Sequence, residues 1–184
     1  MKKSPTKVNT SADTRWSYAN VWEPKAMEGG RSAWSVSLII KKNDPCVPKI
    51  MDAIHAAYDE GTGILKGNGK SVPTFESLES PLHDGDIKRP DDPAYAGCYY
   101  LNAKNYQRAP QIVDLNNQEI MDHSEVYSGV YGKASISFFC YNKGGNKGIG
   151  CSLHNLKKYR DGEPLGSYSR AEDDFADEDD DLLS

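Results

Sequence analysis

Residues 133–156 read KASISFFCYNKGGNKGIGCSLHNL, and their pattern decides the architecture. Ala134, Ile136, Phe138 and Cys140 alternate with Ser135, Ser137, Phe139 and Tyr141, the period of two that gives a strand one buried and one open face. The glycine-rich Asn142–Gly148 then turns the chain into a second strand at Ile149–Leu156, which makes the stretch a hairpin. Working outward, strand signals recur at Cys98–Lys104, Ala109–Leu115 and Glu125–Tyr131, with a turn at Asn116 and Asn117. Near the start, Thr14–Trp22 and Trp34–Lys42 predict two antiparallel strands joined through Gly29 and Gly30. Between these groups, Ile50, Met51, Ile54 and Tyr58 recur at helical spacing after Asp44 and Pro45, predicting one amphipathic helix that stops near Gly61 and Gly63. Residues 61–93 are rich in Gly, Pro, Asp and Ser and read as a long surface excursion. Six or seven short strands with one principal helix and no internal repeat fit a mainly β chain, a small Greek-key barrel.

The charge of the chain is divided. Its net charge of -5 combines 22 bases against 19 acids in residues 1–171 with eight acids and no base from Glu172 onward. A run so charged cannot bury enough surface to fold, so residues 169–184 are expected to be a disordered acidic tail, and 13–168 the folded domain. Residues 1–12 are polar and basic without periodicity and are expected to be a flexible arm. No stretch approaches the length of a membrane span and no apolar leader follows Met1, which places the expected site of action in the cytoplasm.

Tyrosine supplies 11 of the chain's 18 aromatic residues, and many sit beside a base. Trp16, Tyr18 and Trp22 share the even positions of the first long strand. Tyr100 lies near Lys104, Tyr106 beside Arg108, Tyr131 beside Lys133, and Tyr141 beside Lys143 and Lys147, with Lys157, Lys158 and Arg160 after the second hairpin strand. Such a mixture suits single-stranded nucleic acid, because any base can stack on an aromatic face while nearby cations neutralise phosphates. Trp34, Phe138 and one of Tyr99 and Tyr100 are expected in the core, since alternation must send them inward.

Other chemistries find less support. The GNGKS stretch of Gly67–Ser71 ends like a phosphate-binding loop, but Ile64 stands where the first glycine would be needed and a helix precedes it instead of a strand. The acidic loop with His83, Asp84, Asp86, Asp91 and Asp92 could hold Mg²⁺ in a nuclease, the rival reading, and a structural or adaptor role in phage assembly is a third. Cys46, Cys98, Cys140 and Cys151 form no CxxC pair, so neither a zinc site nor a disulfide framework is expected, and no cofactor is implied.

The strands TRWSYANVWEP, the helix after SLIIKKNDP, the segment GKASISFFCYNKGGNKGIGCSLHN and an acidic end following SRAEDDF together resemble tailed-phage single-stranded DNA-binding proteins, related in plan to the T7-type protein. The resemblance implies an OB-fold-like barrel that binds single-stranded DNA without changing it, in replication, recombination or repair. It also implies that the tail, Asp173, Asp174, Phe175, Asp177, Glu178, Asp179, Asp180, Asp181, Leu182 and Leu183, modulates DNA access or recruits replication or recombination proteins. A homodimer is compatible with it. The Leu-Leu-Ser ending departs from the phenylalanine that closes many such tails.

Overall fold

The structure, a computed structural model, describes residues 4–27 and 29–165. The expected tail lies outside the described residues. Five long strands carry the architecture: β2 (Arg15–Ala26), β3 (Ser32–Lys41), β5 (Cys98–Asn105), β7 (Tyr131–Lys143) and β8 (Asn146–Arg160). They run in the order β2, β3, β5, β8, β7, and β7 returns to β2 through Arg15 opposite Tyr131, with Trp16 N donating to Val130 O at 2.8 Å and Gly132 N to Thr14 O at 2.9 Å. Every neighbour in this ring is antiparallel except β5 and β8, which meet in parallel at Lys104 and Ser152. A closed sheet with this order is the OB barrel.

Its interior is filled by the inward set of each strand. Trp16, Val36, Leu38, Ile40, Leu101, Ala103, Ala134, Ile136, Phe138, Leu153 and Leu156 are all buried in one cluster. The expected hairpin forms between β7 and β8, from Gly132 opposite Lys158 to Lys143 opposite Asn146, with a shift at Ser135 and Ile136. Helix α1 (Cys46–Glu60) lays Ile50, Ala53, Ile54 and Ala57 against the barrel, as its 3- and 4-residue spacing requires. The Cys140 thiol donates to Ala57 O at 3.2 Å, and α1 ends at Gly61, where a methyl group would collide with that sulfur. All four cysteines are free.

Three expectations change. The N-terminal arm is not loose throughout: β1 (Lys7–Asn9) pairs with Ser135–Ser137 on the edge of β7 that β2 has left, and Val8 is buried there. Thr10 seals the junction, its Oγ1 accepting from Ala134 N at 2.9 Å. The segment 125–131 is no strand until Tyr131. A 3₁₀ turn at His123–Glu125 leads into it, and its apolar signal comes from Val126 and Val130, both core anchors. The strand expected over 109–115 is the shorter β6 (Gln111–Val113), parallel to β8.

The excursion after α1 is also more ordered than its composition suggests. Helix α2 (Thr62–Lys66) buries Leu65, β4 (His83–Asp84) pairs with Tyr99 and Tyr100 of β5, and α3 (Gly85–Lys88) follows. Tyr95, in a further 3₁₀ turn, is buried against Ile39 and Tyr100 in a small second cluster on the outside of the barrel. No helix among the described residues is long and apolar enough to cross a membrane.

Candidate nucleic-acid interface

The outer face of β2, β3 and β5 presents small polar residues with an aromatic and basic group at each end. Ser35 lies opposite Lys104 and Ser37 opposite Asn102 on the outward positions of their strands, Ser37 being buried beneath Tyr95, whose hydroxyl its Oγ meets at 3.1 Å. At one end β2 carries an extra residue, because its register moves from Ser17 opposite Ser37 to Asn20 opposite Ser35. That bulge turns Tyr18 outward with φ 46°, leaving its side chain 52% exposed. Arg89, just past α3, reaches across to it. Its guanidinium carbon stands 5.1 Å from the Tyr18 ring, 5.2 Å from Tyr95 and 5.6 Å from Tyr100, and its Nη1 donates to the Tyr18 hydroxyl at 3.2 Å.

The other end is built from the β2–β3 turn and the end of β5. Gly29 and Gly30, at φ 85° and 83°, make the tight return that delivers Arg31. Its guanidinium sits 4.3 Å over the Tyr106 ring, with Lys104 Nζ 6.0 Å away on the same ring. Tyr106 is fixed by its neighbour: Asn105 Oδ1 accepts from Gln107 N and Arg108 N at 2.8 and 3.0 Å, while Asn105 Nδ2 donates to Leu153 O on β8. Tyr100 and Lys104, four residues apart on β5, mark the two ends, about 13 Å apart by strand rise. None of Arg31, Lys104 and Arg108 is in an ion pair among the described residues.

A second group lies on the β7–β8 hairpin. Phe139 and Tyr141 point outward and lie over Gly150 and Gly148, their cross-strand partners, so closely that a methyl would come 2.5 Å from the Phe139 ring at Gly150 and 2.5 Å from the Tyr141 hydroxyl at Gly148. Phe139 is 45% exposed. Lys143 and Lys147 flank them, and Lys147 Nζ lies against Gly69, so the GNGKS stretch faces this hairpin. Asn142 Nδ2 secures the contact by donating to Ile64 O at 3.2 Å.

At the opposite end of β7 and β8 the cations are largely engaged. Tyr131 lies between Arg15 (5.3 Å) and Arg160 (4.0 Å), with Arg15 also donating to Gly129 O and Glu163 O and Arg160 paired with Asp13 at 2.8 Å. Lys133 and Lys157 bracket the Tyr159 ring at 5.7 and 5.8 Å.

Of four expected contacts, two are buried and two are partly covered. Trp16 is 0% exposed, its ring packed on Gly132 and its Nε1 donating to Gly132 O, because the bulge after Ser17 sends Trp16 and Tyr18 to opposite sides. Tyr100 points outward but is only 6% exposed, roofed by Tyr95 and Arg89. Trp22 has one face covered by His123, stacked at 4.2 Å and 11°, and its Nε1 donates to Val126 O. Lys158 is 14% exposed and held by Asp161 at 2.7 Å, and this pairing depresses the Asp161 carboxyl below its usual range. Conversely, Arg31, Arg89 and Phe139 were not singled out by sequence. Arg31 follows the Gly-Gly turn and Phe139 is the outward member of its pair, so both carried a signal; Arg89 sits in aperiodic sequence and carried none.

The acidic loop is structural. Lys42 Nζ lies 2.8 Å from both Asp84 and Asp86, and Asp86 also accepts from Gly97 N at 2.9 Å. The two aspartates hold the Lys42 amine above its usual range, and Lys42 with the Gly97 amide holds Asp86 below its own. Asp92 caps Ala94 N. No group of three or more His, Cys, Asp or Glu able to hold a metal occurs among the described residues.

The fold matches solved structures along nearly its whole length. A single-stranded DNA-binding protein from bacteriophage Enc34, solved with single-stranded DNA, superposes with TM-score 0.68 at 22% identity over 90% of this chain and 96% of that one. The single-stranded DNA-binding protein encoded by bacteriophage T7 superposes with TM-score 0.63 at 18% identity, covering 95% of each chain. Among curated proteins, a putative protein of Acyrthosiphon pisum secondary endosymbiont phage 1 is 29% identical over 158 residues, 82% of each chain. A family model described as "Enterobacter phage Enc34, ssDNA-binding protein" matches residues 6–183, and the chain therefore belongs to this family of phage single-stranded DNA-binding proteins.

Proposed function

We propose that this chain holds single-stranded DNA across the outer face of β2, β3 and β5, sequence-tolerantly, in the replication, recombination or repair of phage DNA. Proteins of this family bind DNA and catalyse nothing. The observation that carries the placement is the cluster of Arg31, Lys104 and Tyr106, where two cations unpaired among the described residues share one half-exposed ring. That is the pairing of charge for phosphate and π-face for base that single-strand binding uses, and it reads no base edge. Tyr18 at the far end, and Phe139 and Tyr141 with Lys143 and Lys147 on the hairpin, extend the same chemistry. Tyr131, Lys133, Lys157 and Arg160 form a secondary basic patch in which Arg160 is paired with Asp13 and Lys157 Nζ donates to Asn117 Oδ1 at 3.0 Å. The acidic tail is proposed to compete with DNA for these cations and to engage other replication or recombination proteins in the host cytoplasm.

Anisotropy of fluorescent oligo-dT, with a matched duplex, tests the reading at low and physiological salt. Tight, salt-sensitive binding of oligo-dT with much weaker duplex binding is expected. Equal affinity for duplex, or none for oligo-dT, would refute it.

A further inference from the structure

The excursion between β3 and β5 brings Arg89 to the proposed DNA face, where its guanidinium lies within 6 Å of three tyrosine rings. Arg89 is half-buried over the rings of Tyr18, Tyr95 and Tyr100. The acids around it are otherwise occupied. Asp84 and Asp86 hold Lys42, Glu79 holds Lys88 at 3.3 Å, Asp92 caps Ala94 N, and neither Asp91 nor Asp92 comes within ion-pair distance of Arg89. Its charge is thus uncompensated among the described residues, and a guanidinium stays charged at every working pH. Its Nη1 donates to the Tyr18 hydroxyl at 3.2 Å, and a guanidinium carries five donors in all.

Tyr18 is as unusual as its partner. It is one of two non-glycine residues with positive φ among the described residues, an arrangement that costs stability and that a bulge alone would normally assign to glycine. A large ring more than half exposed, placed there at a cost and then held by a hydrogen bond and a cation, is preorganised for something outside the fold.

We propose that Tyr18 and Arg89 form one nucleotide subsite at the α3 end of the face, Tyr18 stacking a base and Arg89 neutralising an adjoining phosphate. The subsite rests on the single-stranded DNA reading above and adds to it a cation supplied by the excursion. The competing account makes Arg89 a strut for Tyr95 and Tyr100, with Tyr18 incidental. The two differ in what they do to DNA binding as opposed to folding.

The test compares Tyr18→Gly, Arg89→Ala and Arg89→Lys with the full-length wild type, by thermal melting and by oligo-dT affinity across a salt series. Glycine relieves the backbone at position 18, so Tyr18→Gly is expected to melt at or above the wild-type temperature while binding about five- to hundredfold more weakly, with an unchanged salt slope. Arg89→Ala is expected to lower the slope of log affinity against log salt by about 0.7, one single-strand phosphate, and Arg89→Lys to restore it. Wild-type affinity in Tyr18→Gly, or a wild-type slope in folded Arg89→Ala, would overturn the subsite. Should Arg89→Ala fail to fold, Tyr18→Gly decides alone. Failure of the wild type itself to bind oligo-dT would instead sink the functional reading, so the two failures are separable.

Discussion

Replacing Arg31, Lys104 and Arg108 together by Ala should change how binding responds to salt more than it changes any other property. All three are exposed, unpaired among the described residues, and gathered at the Tyr106 end of the face. Each phosphate neutralised on a single strand contributes about 0.7 to the slope of log affinity against log salt, so losing three contacts should lower the slope by about 2. Between about 50 and about 200 mM salt, a fourfold range, the wild type should therefore lose about 20-fold more affinity than the triple variant. The deficit of the variant is accordingly large at low salt and shrinks as salt rises. Tyr106→Ala should behave oppositely: a stacked base contributes about 1–3 kcal/mol, and its loss shifts the whole line down without tilting it. Oligo-dT anisotropy at five or six salt concentrations reads both quantities. Parallel lines for wild type and triple variant would show that these cations touch no phosphate, and a tilted line for Tyr106→Ala would show that the ring acts only by holding Arg31.

Other outcomes follow from single contacts. Gly150→Ala should displace the Phe139 ring, since the new methyl would stand 2.5 Å from its Cζ; a loss of about 1 kcal/mol or less and a small drop in Tm are expected, together with weaker oligo-dT binding if the ring is a platform. Asp44 is buried, which pushes its carboxyl up, yet hydrogen bonds from Ser11 Oγ (2.6 Å) and Cys46 N (2.8 Å) hold it net below its usual range. A depressed carboxyl stabilises above its unfolded pKa and ceases to as pH falls through the folded value, so Asp44→Asn should melt lower than wild type at neutral pH by about 1–2 kcal/mol, with the gap closing in acid; a gap constant with pH would refute the assignment. Deleting Glu172–Ser184 should tighten oligo-dT binding most at low salt, where eight tethered carboxylates compete best, and identical curves at every salt would leave the tail no part in DNA access.

The parts of the fold legible in the sequence are those where one face of an element is buried over many residues. The alternation of residues 133–141 became β7, the spacing of Ile50, Ile54 and Tyr58 became α1, and the turn at Gly29 and Gly30 joined β2 to β3. Reading the first strand as one even-numbered face failed because periodicity survives no insertion: one extra residue after Ser17 puts Trp16 inside and Tyr18 outside. Tyr100 failed for a different reason. It does point away from the barrel, but pointing outward is not exposure when Tyr95, distant in spirit from any strand pattern, covers it. β1 escaped because three residues with one buried valine are too short to show a period.

The covering of Tyr100 has a cause that bears on how the site works. At the Tyr106 end the face is built from the β2–β3 turn and the end of β5, and elsewhere the excursion between α1 and β5 adds to it. At one place that excursion lays Gly69 against Lys147 of the hairpin; at another it brings Arg89 and Tyr95 over Tyr18 and Tyr100. Its anchors in the main core are the buried Leu65 and the half-buried Phe75, Leu78 and Leu82, and the rest is held by bonds such as Lys42 to Asp84 and Asp86 and the capping of Ala94 by Asp92. Exposed ion pairs of this kind contribute little to global stability. The excursion can therefore open at a lower free energy than the barrel on which it rests. Substitutions in the barrel interior should then act through folding, whereas substitutions in the excursion should act through the shape of the face, which is the separation of effects that the Tyr18 and Arg89 variants exploit.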